Sequence, residues 1–193
     1  MLLILIAQAI AATEADRSGP TVRAEAGAAH SEAYIQGTSY EGGGDTTGGG
    51  ALEFALAAGW RTGGVVEIFA EAVDRELRPN YRVLAGQGIK DSVAIDSLSI
   101  GLALHSSKGV CGAVEIGPAV VHTLTHTFDG THTSSIYGYR QVLIGPQLRF
   151  TLAKEWLLTP RFGLGLAAHL SIESDARTWL EYAETLAVRA SFF

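Results

Sequence analysis

Residues 51–72, ALEFALAAGWRTGGVVEIFAEA, alternate between two kinds of side chain on both sides of a glycine-containing turn. One face of the first half carries Leu52, Phe54, Leu56, Ala58 and Trp60, and the other carries Glu53, Ala55, Ala57, Gly59 and Arg61. After RTGG, a turn signal, Val66, Ile68, Ala70 and Ala72 oppose Glu67, Phe69 and Glu71. A period of two is typical of β-strands, so this stretch predicts a β-hairpin.

The same period recurs along the chain and predicts an all-β fold of eight strands. We place them at residues 21–35, 51–61, 65–75, 92–105, 109–122, 136–152, 156–171 and 178–193. RTGG, SSKG and AKEW are short turns, whereas the connections QGTSYEGGGDTTGGG, DRELRPNY, THTFDGTHTSS and SIESDAR are long or polar. Short turns at one end and long loops at the other predict an up-and-down antiparallel barrel.

Residues 76–97 leave a ten-strand barrel as the alternative, because YRVLAGQGIK would form an extra hairpin. Val93 and Ile95 also have the opposite parity from Leu98 and Ile100. A β-bulge near residues 96–97 would bring these residues to one face.

Composition restricts the class of protein further. A chain of 193 residues suits one domain, and a net charge of −6 gives no basic surface for nucleic acid. The mean hydropathy is +0.20, yet no apolar run reaches the length of a transmembrane helix. The single cysteine, Cys111, excludes an internal disulfide framework and a multi-cysteine metal site.

The first residues, MLLILIAQAIAATEA, form an apolar run without β periodicity. A short apolar segment followed by small residues of the A-x-A kind is typical of a secretory signal. We therefore expect residues 1–15 to be a signal peptide and residues 16–193 to form the barrel. The alternative is an N-terminal helix or strand of the mature domain.

The face that lacks bulky apolar residues is too sparsely charged for an ordinary solvent surface. It is mostly Ala, Gly, Ser and Thr, with single charges that suit a narrow lumen in which they pair. The predicted lumen ion network is Arg23, Glu25, Glu53, Glu67, Glu71, Glu115, Arg149, Arg161 and Arg189. The bulky face then points to lipid, with Glu184 as an exception that we expect near the rim.

The aromatic residues are sorted by end of the barrel, as amphipathic rings at two membrane interfaces would be. Trp60, Trp156, Phe192 and Phe193 fall at the short-turn end, and Tyr34, Tyr81, Tyr137, Tyr139, Trp179 and Tyr182 fall at the long-loop end. A sheet in hydrocarbon must also close, because every backbone polar group needs a partner. Closure explains why the chain ends in an alternating strand, LAVRASFF.

The signal-like start, eight alternating strands, unequal loops and aromatic last residues resemble the small outer-membrane β-barrel proteins of Gram-negative bacteria. The resemblance implies a monomer in the outer membrane, surrounded by the lipid bilayer and lipopolysaccharide, and inserted by the barrel-assembly machinery through its last strand. The resemblance says almost nothing about activity, and we expect a non-enzymatic protein without a cofactor or a nucleic-acid partner. An eight-stranded lumen is filled by side chains, so the longer loops would carry surface interactions or envelope integrity.

Three alternatives to a non-enzymatic membrane barrel are a metal site, a hydrolase and a soluble barrel with its bulky residues inside. His122, His126 and His132, with Asp129 between them, would be ligands for a transition metal. His132 and Ser134 resemble the His-x-Ser pair of outer-membrane lipid A deacylases, a sound acyl-transfer device, although no Glu occurs between Ser134 and Glu155. A soluble lipocalin-like carrier would require the bulky face to point inward.

Overall fold

Eight antiparallel strands make up the computed structural model, which describes residues 18–35, 45–84, 87–129, 139–174 and 179–193. The strands are β1 (Gly19–Ile35), β2 (Asp45–Thr62), β3 (Val66–Leu84), β4 (Gln87–His105), β5 (Val110–Asp129), β6 (Tyr139–Thr159), β7 (Phe162–Ser174) and β8 (Trp179–Phe192). Within these ranges no helix is long and apolar enough to cross a membrane. The predicted signal peptide, residues 1–15, lies outside the described residues.

Each strand pairs with its neighbours in the sequence, and β1 pairs with β8, so the sheet closes into a barrel. Following the Cα partners once around leads from Val22 through Ala58, Ala70, Ile100, Ile116, Leu148, Ile172 and Tyr182 back to β1 at Glu32. The strands are therefore staggered by ten residues over one circuit. Stagger, strand number and tilt together fix the diameter, and eight strands leave room only for side chains.

The eight-strand prediction is confirmed, and the ten-strand alternative is wrong. Residues 66–84 and 87–105 stay together as one long hairpin, β3–β4. The ladder is regular through Asp96 and Ser97, and its register shifts between Leu77 and Asn80 instead. Ile95 needs no bulge because it faces the lumen, where it is 2% exposed.

The strands are longer than predicted at the long-loop end, and one turn is misplaced. DTTGGG belongs to β2, Asp129 ends β5, and β7 reaches Ser174. AKEW is not a turn, because β6 continues to Thr159 and the chain reverses at Pro160 and Arg161. Where both faces of a strand meet water the apolar alternation disappears, so periodicity stops short of the true strand end.

Above the apolar wall the barrel divides into two parts. The described β2–β3 ladder ends at the pair Ala51 and Leu77, and the β6–β7 ladder ends at Gln147 and Glu173. Beyond those pairs β3, β4, β5 and β6 remain joined to one another. They form a four-stranded sheet that rises from one side of the long-loop end, and we call it the protruding sheet.

Candidate functional site

The distribution of polarity is the reverse of that in a water-soluble barrel. The outward side chains of Phe54, Ile68 and Leu186 are 55%, 67% and 74% exposed. By contrast, Arg149 and Glu67 face the lumen and are 0% and 1% exposed. Alternate residues of each strand point to opposite sides, so a single parity separates a lipid-facing wall from a charged interior. The lipocalin-like alternative is wrong, because it requires the bulky apolar residues to point into the barrel and they point outward.

The lumen at the short-turn end is organised around the Glu67 carboxylate. Arg23 Nη1 lies 2.5 Å from Glu67 Oε1, and the Thr21 hydroxyl donates to the same oxygen at 2.7 Å. His105 Nε2 lies 2.7 Å from Glu67 Oε2, and Arg61 Nη2 lies 3.7 Å from it. One buried carboxylate on β3 thus joins polar side chains from β1, β2 and β4 and ties this end of the barrel together.

The middle of the lumen is organised around Glu25 and His169. Arg189 Nη2 lies 2.7 Å from Glu25 Oε1, and His169 Nε2 lies 2.6 Å from Glu25 Oε2. His169 Nδ1 is 2.9 Å from Thr151 Oγ1, and the Thr151 hydroxyl donates its hydrogen to Glu115 Oε1 at 3.2 Å. A hydroxyl, an imidazole and a carboxylate in this order resemble an acyl-transfer arrangement. All three are at most 6% exposed in the filled lumen, so their role here is to cross-link β1, β6 and β7.

The upper lumen is organised around two arginines. Glu53 accepts from Arg75 Nε at 2.9 Å and from Arg149 Nη2 at 2.8 Å. Arg75 Nη1 also lies 3.2 Å from Glu173 and 3.3 Å from Glu181, which are Cα partners on β7 and β8. Like charges on directly opposite residues repel. Arg75 therefore holds the two carboxylates together across the lumen from β3.

Carboxylates outnumber guanidinium groups in the described lumen. The buried acids are Glu25, Glu53, Glu67, Glu71, Glu115, Glu155, Glu173 and Glu181, and the buried arginines are Arg23, Arg61, Arg75, Arg149 and Arg189. Buried charges without partners are very costly, and hydroxyl groups and two buried histidines supply further hydrogen bonds to these carboxylates. The Gln147 amide, 1% exposed, has no hydrogen-bond partner among the described residues.

Eight of the nine predicted network residues lie in the lumen and are at most 6% exposed: Arg23, Glu25, Glu53, Glu67, Glu71, Glu115, Arg149 and Arg189. The ninth, Arg161, is a correction, because the true β6–β7 turn places it on the exposed surface.

Sequence reasoning missed Arg61, Arg75, His105, Glu155, His169, Glu173 and Glu181. Strand parity places Arg61, His169 and Glu181 on the charged face, but the predicted network did not include them. Glu155 was hidden because AKEW was assigned to a turn.

The aromatics at the short-turn end divide between two surfaces. Trp60, Trp156 and Phe192 point outward and are each more than half exposed. Phe193 departs from the expected girdle: the Arg61 guanidinium lies 4.9 Å from its ring centroid, at the mouth of the lumen. Its backbone N–H donates to the Arg161 carbonyl at 3.0 Å, and alternation from Phe192 turns its ring inward.

For most of the aromatic residues predicted at the long-loop end, the structure gives their position along a strand. Tyr182 points outward on β8. Tyr34, Tyr81, Tyr139 and Trp179 lie on the long-loop halves of their strands. Tyr137 lies outside the described residues.

The metal and hydrolase candidates are not brought together by the described part of the chain. His122 lies on β5 with its Nε2 3.3 Å from Asp96 Oδ2, and His126 lies further along the same strand. His132 and Ser134 fall outside the described residues. In the ranges that are described, no group of three metal-ligating side chains occurs.

Comparison with known proteins addresses the fold. No protein-family model matches the chain, and no curated protein matches its sequence. Ail, the attachment invasion locus protein of Yersinia pestis, superposes with a TM-score of 0.57 at 13% identity, covering 90% of this chain and 99% of that one.

Two further structures are similar. Neisserial surface protein A has a TM-score of 0.53 at 13% identity, covering 91% of this chain and 97% of that one. The N-terminal β-barrel domain of OprF from Pseudomonas aeruginosa has a TM-score of 0.50 at 15% identity, covering 91% and 100%.

Closure, the apolar outer wall and the charged lumen define a transmembrane β-barrel. More narrowly, the chain has the fold of the small eight-stranded barrel proteins of the bacterial outer membrane.

Proposed function

We propose that this chain is a monomeric, non-enzymatic protein of the outer membrane that holds an interaction surface outside the cell. The observation that carries the proposal is the protruding sheet on top of a filled barrel. In this proposal the barrel-assembly machinery inserts the chain, and phospholipid and lipopolysaccharide surround it. It needs no cofactor and binds no nucleic acid.

The filled lumen argues against transport as the role of the barrel. Its largest fully buried side chains include Arg75, Arg149 and Arg189, each paired with at least one glutamate. Water-filled channels occur in barrels with about 16–18 strands, whereas eight strands enclose only packed side chains. The wall is therefore best understood as an anchor for the parts outside the membrane.

The height of the protruding sheet supports an external role. Asp74 and Asp96 are exposed Cα partners that interrupt the apolar outer face of β3 and β4. From Asp74 to Leu84 the β3 strand continues for ten more residues. A tilted strand gains about 2.5 Å of height per residue, so the end of β3 lies about 25 Å above Asp74, and most of that height belongs to the protruding sheet.

Basic residues on the protruding sheet suggest the first ligand to test. Arg78 and Arg82 lie on β3, Lys90 on β4 and Arg140 on β6. The solved complex of Ail contains sucrose octasulfate, a heparin analogue. Lys and Arg side chains attract polyanions, which favours a sulfated polysaccharide as the partner.

The test measures adhesion of bacteria that express the protein to wells coated with heparin or with albumin. One variant replaces residues 78–92 with an Asn-Gly turn between Leu77 and Val93, which are Cα partners. We expect adhesion to heparin to be lost, with the barrel still folded by its heat-dependent migration on a detergent gel. A second variant changes Arg78, Arg82, Lys90 and Arg140 to Gln, and we expect a similar loss.

Lys108→Gln is the matched control, because Lys108 lies in the exposed β4–β5 turn at the opposite end of the barrel. Its adhesion should equal that of the natural sequence. Full adhesion by the variant that lacks residues 78–92 would show that the protruding sheet is not the interaction surface. Recovery of the protein in the soluble fraction without detergent would contradict the membrane role itself.

A further inference from the structure

Three lumen-facing side chains form one row across β6, β7 and β8 at the long-loop end of the lumen. Gln147 and Glu173 are Cα partners, and Glu173 and Glu181 are Cα partners in the next ladder. All three are at most 1% exposed. Partners on one face of an antiparallel pair have Cβ atoms about 4.5–5.5 Å apart, so these side chains share one part of the lumen. We call Gln147, Glu173 and Glu181 the upper row.

The upper row contains buried polar atoms that no described side chain uses. Both amide atoms of Gln147, and Oε2 of Glu181, have no hydrogen-bond partner among the described residues. The other carboxylate oxygen of Glu181 accepts from the Ser31 hydroxyl and from Arg75 Nη1. A buried polar atom without a partner is costly. The free oxygens of Gln147 and Glu181 therefore point to a ligand that can accept both.

The charges around the upper row are also unbalanced. Two guanidinium groups serve four carboxylates there, because the salt bridges join Arg75 or Arg149 to Glu53, Glu71, Glu173 and Glu181. The two buried histidines bind carboxylates lower in the barrel. Buried negative charge without a partner is very costly, and one divalent cation would balance two carboxylates.

We propose that the upper row binds one divalent cation of the Ca²⁺ type. Glu173 and Glu181 supply carboxylate oxygens, the Gln147 carbonyl supplies a neutral oxygen, and water completes the shell. Ca²⁺ takes about six to eight oxygen ligands, among them carboxylates, amide carbonyls and water, in a flexible geometry. Only two of the three side chains are acidic and none is His or Cys, so the upper row differs from a transition-metal group.

The place of the upper row in the fold allows an ion to enter and gives it a structural effect. The described β6–β7 ladder ends at Gln147 and Glu173, and β6 continues from there into the protruding sheet. The lumen side chains around the row are small: Ser31, Ala119, Ser171 and Ala183. A cation at the row joins β6 to β7 and β8 at the base of the protruding sheet. This inference is independent of the proposed adhesive role.

The experiment measures the urea midpoint of unfolding of the full chain in non-ionic detergent micelles, by tryptophan fluorescence. CaCl2 is the probe, and KCl keeps the ionic strength constant. We expect a dissociation constant of about 10⁻⁴–10⁻³ M, the range of extracellular Ca²⁺ sites. Above it the midpoint should rise by an equal step for each tenfold increase in Ca²⁺. Glu181→Gln and Gln147→Leu should each weaken the affinity at least about tenfold.

Glu155→Gln is the matched control, because Glu155 is a buried glutamate toward the short-turn end of β6. Its midpoint should rise with Ca²⁺ as that of the natural sequence does. A midpoint of the natural sequence that does not change with Ca²⁺ would overturn the inference, since protons or water would then balance the upper row. An undiminished response of Glu181→Gln, or a lost response of Glu155→Gln, would also overturn it. Gln147→Leu removes an amide without a partner, so it decides the question even if Glu181→Gln does not fold.

Discussion

Charged side chains in the lumen share their partners, so replacing one of them leaves others buried without a partner. Glu53 is 2% exposed and accepts from Arg75, Arg149 and the Thr185 hydroxyl. Glu53→Ala leaves two buried guanidinium groups without this partner, and we expect it to lower the free energy of unfolding by about 3–5 kcal/mol. Urea titration in detergent micelles, followed by tryptophan fluorescence, measures the change.

Glu32→Ala is the control for Glu53→Ala, because the Glu32 side chain is 56% exposed on the outer face. Its cost should stay within about 0.5 kcal/mol, as for most surface substitutions. Equal losses for the two variants would show that the lumen network does not stabilise the barrel.

Glycine at position 117 is required by the close approach of β4 to β5. A Cβ there would lie 2.0 Å from the Leu98 carbonyl oxygen and 2.6 Å from Ser99 Cα. We expect Gly117→Ala to destabilise the barrel by about 1–3 kcal/mol or more, because the two strands must separate. Gly112→Ala, on the same strand with open space around its Cβ, should fold normally in the same titration. Normal stability of Gly117→Ala would contradict the register of β4 and β5.

At the scale of elements, the two kinds of connection lie on opposite sides of the membrane. The β6–β7 turn at Pro160 and Arg161 is exposed beside the short-turn aromatics, and the β3–β4 hairpin ends between Leu84 and Gln87. An epitope inserted between Leu84 and Gln87 should be labelled by antibody on intact cells. One inserted between Pro160 and Arg161 should be labelled only after the outer membrane is permeabilised. The reverse pattern would invert the proposed orientation.

At the scale of the whole molecule, the stagger of ten residues and the filled lumen predict that the barrel does not conduct. The arginine and glutamate pairs occupy the space that ions would need. Purified protein in a planar bilayer should give no stepwise current of the size of a water-filled porin, with a trimeric porin as the positive control. Regular steps of that size would show that the lumen opens.

Much of the fold could be predicted from alternation, because parity is a local property of a strand. Glu53 and Glu67 were assigned to the lumen from their neighbours alone, and both lie there. The ends of the strands were harder to predict from the sequence. Above the membrane both faces meet water and alternation fades, which hid the upper parts of β3 and β4. In β6 the apolar residues continue beyond AKEW, which hid the true turn and misplaced Arg161.

The sequence by itself determined the strands, the apolar outer wall and the charged interior, since each follows from residues one or two positions apart. Only the tertiary structure decided which charges meet. Arg189 pairs with Glu25 across 164 residues of sequence, and Arg75 reaches Glu173 from the opposite wall. Such partners depend on the stagger of the closed sheet, which sums the registers of all eight ladders.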